Sequence, residues 1–215
     1  MSIPSDVLDR VKNYYEKFWE RTERPLSFIF TAPQFGNDSW IDSALWEVRK
    51  KYGIQGVSRQ AVQSAAERIA GLKIKLATID LSTISQSIHK VASVFTEIHT
   101  NTYKGRYELS LASKFMHFCY PDIVPPFDQF AYAALCFNMR GRNYNINRSR
   151  PPRNNHDIEE WLKAFWDFHN LLRPEFIQLQ TEVINTRIPA QDRGIAKRAI
   201  TTCKVCDLVL WKWRQ

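Results

Sequence analysis

The chain has 215 residues, 44% hydrophobic and 24% charged, enough to bury a substantial core in one compact unit. It contains no run of about 18 apolar residues, and MSIPSDVLDR lacks the basic-then-apolar layout of a secretory leader; a soluble, cytoplasmic protein with no membrane contact is expected. The net charge of +8 is uneven, because residues 100–153 carry eight Lys and Arg against three acidic groups. Such a local excess favours a polyanionic partner, whose phosphates the cations neutralise with release of counterions.

Apolar residues recur at three- and four-residue spacing along most of the chain, which predicts helices near 5–20, 38–51, 58–71, 81–98, 107–119, 129–138, 156–171, 175–185 and 192–213. Ser5, Asp38, Ser58, Asp80 and Asp128 are the expected N-caps, and Gly53 and Gly71 the expected stops. LSFIFTAPQF at 26–35 has strand-like residues but no partner strand, so it is read as extended or partly helical. Two segments break the rhythm. YPDIVPPF at 120–127 holds three prolines and predicts a rigid turn between helices. NMRGRNYNINRSRPPRNNH at 138–156 reads as a long basic loop, with Arg140, Arg142, Arg148, Arg150 and Arg153 to meet phosphates and Tyr144 to stack on a base.

The four cysteines do not form a disulfide framework. Cys203 and Cys206 make a CxxC, but the surrounding helix places both near an apolar face, so packing is expected and no metal or cofactor.

The chemistry is expected in YELSLASKFMHFCYPDIVPPFDQFAYAAL: a helix, a proline-stiffened turn, an aspartate and a second helix. Pro126-Phe127-Asp128, between LASKFMHF and FAYAAL, resembles the helix-hairpin-helix DNA glycosylase superfamily, the endonuclease III class, in a divergent compact bacterial form. The resemblance implies an all-α, two-lobed fold with a degenerate helix-hairpin-helix element at 103–135. Lobe A comprises 1–35 with 156–215, and lobe B comprises 36–155. It implies a monomeric hydrolase that extrudes a damaged or modified base from double-stranded DNA and leaves an abasic site, in repair or in defence against phage DNA with modified bases.

The same resemblance assigns residues. Asp128 is the catalytic carboxylate, stabilising the positive charge that develops on the sugar, and its place at a helix N-terminus favours the ionised form. The family's phosphate-binding hairpin falls at Lys104-Gly105-Arg106, where a single glycine remains. The family's lyase lysine position is Ser110, with Lys114 one helical turn further on as a secondary catalytic candidate; the implied chemistry is hydrolysis rather than lyase cleavage. Phe35, Trp40, Trp46 and Tyr144 are the candidate rings for an extruded base. Without the resemblance, Asp128 reads as a helix cap worth about 1 kcal/mol. The chain would then be a non-catalytic DNA-binding module, or an RNA-binding or toxin-like protein using the same basic surface.

Overall fold

The computed structural model describes residues 1–31, 38–53, 57–76, 88–93, 95–96 and 109–213, with backbone only at 31, 38–41, 68–76 and 119. It is all-α: 76% helical, with no strand among the described residues. The helices are α1 (Ser5–Phe18), α2 (Arg24–Thr31), α3 (Asp38–Lys51), α4 (Arg59–Leu76), α5 (Leu109–Cys119), α6 (Gln129–Asn138), α7 (Asn155–Leu171), α8 (Arg173–Thr186), α9 (Arg193–Ala199) and α10 (Thr202–Lys212).

α1 starts after Pro4 rather than being capped by Ser5, and it buries Val7, Val11, Tyr14 and Tyr15 on one stripe. A π-helical turn, Trp19–Glu23, follows it directly. Trp19 and Glu23, at its two ends, are both buried. The segment expected to be extended at 26–35 is helical through Thr31, with Pro25 in the first turn where its missing N–H costs nothing.

α3 ends at Gly53, whose φ of 61° is the left-handed conformation that stops a helix. The expected stop at Gly71 does not occur, since α4 continues to Leu76. Ser58 caps α4 as expected, its Oγ accepting from Ala61 N at 3.1 Å. Asp80 and most of the helix predicted at 81–98 lie outside the described residues.

The helix predicted over 192–213 is divided. Ile200 leaves helical geometry, and Thr201 caps α10 by accepting from Lys204 N while its hydroxyl donates to the Pro121 carbonyl at 2.7 Å. That bond anchors α10 to the proline turn, and α10 also packs along α6.

α1 lies against both α8 and α10. The buried apolar side chains form one cluster reaching from Ile3 to Leu210. Within it, α10 is buried at every position from Cys203 to Leu210, including Lys204 and Asp207. Charged groups inside such a helix require compensation, and they mark the site.

Candidate functional site

The arrangement begins with how Asp128 is held. It adopts extended backbone geometry at the head of α6, and Oδ1 accepts from Phe130 N at 2.8 Å and Ala131 N at 3.4 Å. The residue before it is gripped from α5 on both sides of its peptide. Phe127 N donates to Ser113 Oγ at 2.7 Å, and Lys114 Nζ donates to the Phe127 carbonyl at 2.9 Å. Consecutive residues of Ala112-Ser113-Lys114 therefore satisfy a buried donor and a buried acceptor of one residue in the turn. His117, one turn later, donates from Nδ1 to the Val124 carbonyl at 2.7 Å. Burial pushes its imidazole down to about 3, so it stays neutral and serves as a brace for the turn.

Lys114 also donates to Ser110 Oγ at 2.7 Å. Helical side chains lean toward the N-terminus, so a lysine one turn downstream delivers its amine over the preceding turn. The Lys114 amine thus reaches the place of Ser110. Burial pushes it down to about 8, against the pull of Asp207 and Asp128 in the other direction.

Asp128 and Lys114 line a cleft of about 300 Å³ with Ser110, Lys204, Asp207 and Tyr52. Its other walls carry Tyr14, Phe18 and Trp211. Tyr14 and Phe18 stack at 4.9 Å, and Tyr14 meets Trp211 edge-on at 5.8 Å. Phe18 is 41% exposed, an aromatic ring left in water at the rim.

Beneath lies a buried charge network. Glu23 Oε1 accepts from Tyr14 OH at 2.7 Å and Tyr52 OH at 3.0 Å, and Lys204 Nζ stands 3.6 Å from it while donating to Tyr52 OH at 3.1 Å. Burial alone would depress the Lys204 ammonium, yet Glu23, Tyr14 and Asp207 hold it above the usual lysine range. Asp207 also moves up, but for the opposite reason. Burial raises its carboxyl to about 7, even though Lys204 and Lys114 pull it down. A fixed cation, a carboxyl that titrates near neutrality and an amine that titrates just above it therefore share one cleft with Asp128.

The other predicted residues are placed elsewhere. Phe35 and Lys104, Gly105 and Arg106 lie outside the described residues, as does the side chain of Trp40. Trp46 meets two guanidiniums, with Arg49 at 4.6 Å and Arg59 at 4.9 Å from its ring, and does not line the cleft. Tyr144 packs partly against the core and hydrogen-bonds Asp167, also away from the cleft.

Arg140, Arg142, Arg148, Arg150 and Arg153 are all exposed, on a loop fastened through its backbone. Asn145 N donates to Glu160, Asn147 N to Tyr132 OH, and Arg153 N to Asp157. Gly141, at a φ of 82°, makes the first bend. Cys203 and Cys206 are buried, and burial holds both thiols well above their usual range, as suits packing.

Sequence reasoning missed Glu23, Tyr14, Tyr52, Lys204 and Asp207. The visible signal was CKVCDLVL, where a Lys and an Asp three residues apart interrupt an otherwise apolar helix. The chain matches no protein-family model, no curated protein and no solved structure at a significant level.

Proposed function

We propose that the protein is a DNA glycosylase that hydrolyses the N-glycosidic bond of a damaged or modified base in double-stranded DNA. The observation that carries this reading is Asp128: one oxygen is spent on the helix cap, and the carboxylate is held at a cleft beside Lys114 by a doubly gripped turn. A carboxylate fixed before the substrate arrives stabilises an oxocarbenium-like sugar without reorganisation during the reaction. The cleft volume lies at the lower end of small-ligand sites, which suits a single extruded base. Tyr14, Phe18 and Trp211 provide the rings against which such a base would stack.

The cleft walls come from both parts of the proposed two-lobed division: Tyr14, Asp207 and Trp211 from lobe A, and Tyr52, Lys114 and Asp128 from lobe B. The exposed arginines of residues 140–153 supply a phosphate-binding surface on a loop tied to α6 through Tyr132.

The test is alkali-labile strand cleavage after incubation with duplexes carrying uracil, 8-oxoguanine, 7-methylguanine or 5-hydroxymethyluracil. Wild type is expected to create abasic sites on at least one. Asp128→Asn keeps the cap but removes the charge, and is expected to lose release by about 100-fold or more while melting normally. An unchanged rate in that variant overturns the role of Asp128, and duplex binding without abasic sites favours a non-catalytic module.

A second reading is favoured by one distance. Because the Lys114 amine sits at 2.7 Å from Ser110 Oγ, beside Asp128, it stands where an imine-forming lysine would act. Borohydride trapping separates the two chemistries: hydrolysis leaves no covalent adduct, whereas attack by Lys114 on the sugar leaves one that Lys114→Met abolishes.

A further inference from the structure

We propose that Asp207 is the general base of this cleft, taking the proton of a water seated between it and Asp128. The proposal rests on the glycosylase reading and adds to it the residue that activates the water.

Three observations carry it. First, Asp128 and Asp207 line the cleft together, and both also line a side slot of about 10 Å³. That is room for a single water. Second, apart from the hydroxyl of Tyr132 and the indole N–H of Trp161, the rest of the slot is apolar, formed by Pro126, Ala131, Leu135, Phe165 and Leu210. The Tyr132 hydroxyl is engaged with Asn147 N and the Arg150 carbonyl. The two carboxylates are therefore the side-chain acceptors left to hold a water there. Third, Asp128 has one oxygen committed to the α6 cap, while neither oxygen of Asp207 has a hydrogen-bond partner among the described residues. A carboxyl 7% exposed and without a hydrogen bond, on a residue that lines both the cleft and a one-water slot, is better satisfied with a water placed there.

The division of labour follows from the surroundings. Asp128 remains beneath the sugar. As the glycosidic C1′–N bond breaks, its electron pair leaves on the base nitrogen, the water oxygen bonds to C1′, and the water proton passes to Asp207. The departing base takes a proton from solvent, and Asp207 returns its own to solvent.

A base is most effective when its proton affinity matches the working pH, and the groups around Asp207 set that match. Lys204 on the same helix and Lys114 on α5 favour its ionised form, and Asp128 at the head of α6 and Glu23 on the π turn oppose it. The hydroxyls of Tyr14, Tyr15 and Tyr52 and the thiols of Cys203 and Cys206 are all raised and stay neutral. Asp207 thus accepts a proton near neutrality, where an ordinary carboxylate scarcely would.

The experiment is single-turnover base release, on whichever of the four duplexes wild type cleaves, across roughly pH 5.5 to 8.5. The wild-type rate is expected to rise as Asp207 loses its proton and then level. Asp207→Ala is expected to lose about 100-fold or more. Added formate, a carboxylate small enough for the space left, is expected to restore part of that loss in proportion to its concentration. A purely structural role gives no such rescue.

A folded Asp207→Ala that keeps the rate, or whose loss formate does not restore, overturns the proposal. If the variant does not fold, the wild-type profile decides, and a rate without a rising limb overturns it. No release by wild type from any of the four duplexes overturns the glycosylase reading itself, and this proposal with it.

Discussion

The cleft and the basic loop use charge in opposite ways. In the cleft, Lys114, Lys204, Glu23 and Asp207 are withdrawn from water, and Lys114, Lys204 and Asp207 depend on their neighbours for their state of ionisation. In the loop, the five arginines stand in solvent and the backbone carries the order, through Glu160, Tyr132 and Asp157. Buried charge holds few groups in exact relation, which suits bond chemistry. Exposed charge tolerates displacement and is screened by salt, which suits holding a polyanion. The two regions should consequently fail differently when altered.

The largest effect is expected at Lys204, which with Glu23 forms an ion pair about 5% exposed on either side. Lys204→Met leaves Glu23 as an uncompensated buried charge and should cost about 3–5 kcal/mol in urea unfolding. Adding Glu23→Gln should recover a large part of that loss; a double variant no more stable than the single one would show that the pair is not the source.

A smaller loss is expected at the grip on Phe127. Ser113→Ala orphans the Phe127 N–H, which is buried, and should cost about 1–3 kcal/mol. Because the same bond fixes the residue before Asp128, base release should fall by more than the fraction unfolded accounts for. Measuring both on one preparation distinguishes a positioning residue from a merely stabilising one.

The titration of Asp207 sharpens the contrast through the sign of its response. Burial raises the carboxyl, Lys204 and Lys114 pull it down, and Asp128 pushes it up. Side-chain carbon NMR should therefore show Asp207 titrating lower in Asp128→Asn and higher in Lys114→Met. The folded-state value exceeds the unfolded one, so the folded chain binds the extra proton between the usual carboxylate range and about 7, and stability from this group declines as pH rises through that window. Lys114 has the opposite linkage. Its depressed value means that stability returns above about 8, as the unfolded chain holds a proton the folded one lacks. Asp207→Asn should flatten the first limb and move the second to lower pH, because it removes a carboxylate that holds the Lys114 amine up.

How much of this was legible in the sequence depended on whether the signal was local. The bounds of α3 and α6 and the caps at Ser58 and Asp128 follow from spacing and residue type, and the structure places them as expected. The continuation of α4 through Gly71 and the break at Ile200–Thr201 are tertiary outcomes. A glycine inside a helix costs only about 1 kcal/mol, which packing overrides, and Thr201 is fixed as a cap because the Pro121 carbonyl, eighty positions away, accepts its hydroxyl hydrogen bond. The site divides in the same way. Asp128 announced itself by its turn and Lys114 by its neighbours. Glu23 sits among similar charges in WERTERP and is selected only by the π turn, while Lys204 and Asp207 show as charges within an apolar run but give no hint of their partners.

The loop should show the smallest effect on stability and a distinct effect on binding. Arg142→Gln and Arg148→Gln alter exposed side chains with no carboxylate within ion-pairing distance among the described residues, so each should change unfolding free energy by less than about 0.5 kcal/mol. If these guanidiniums meet phosphates, each substitution should weaken duplex binding equally for every sequence and reduce the slope of log affinity against log salt by about one. The rate of release from bound duplex should not move, because the described bonds that tie the loop to α6 and α7 run through its backbone and Tyr144 and not through these side chains. A loop substitution that slows that step while sparing affinity would mean that the arginines belong to the cleft, and the separation of binding charge from reacting charge would fail.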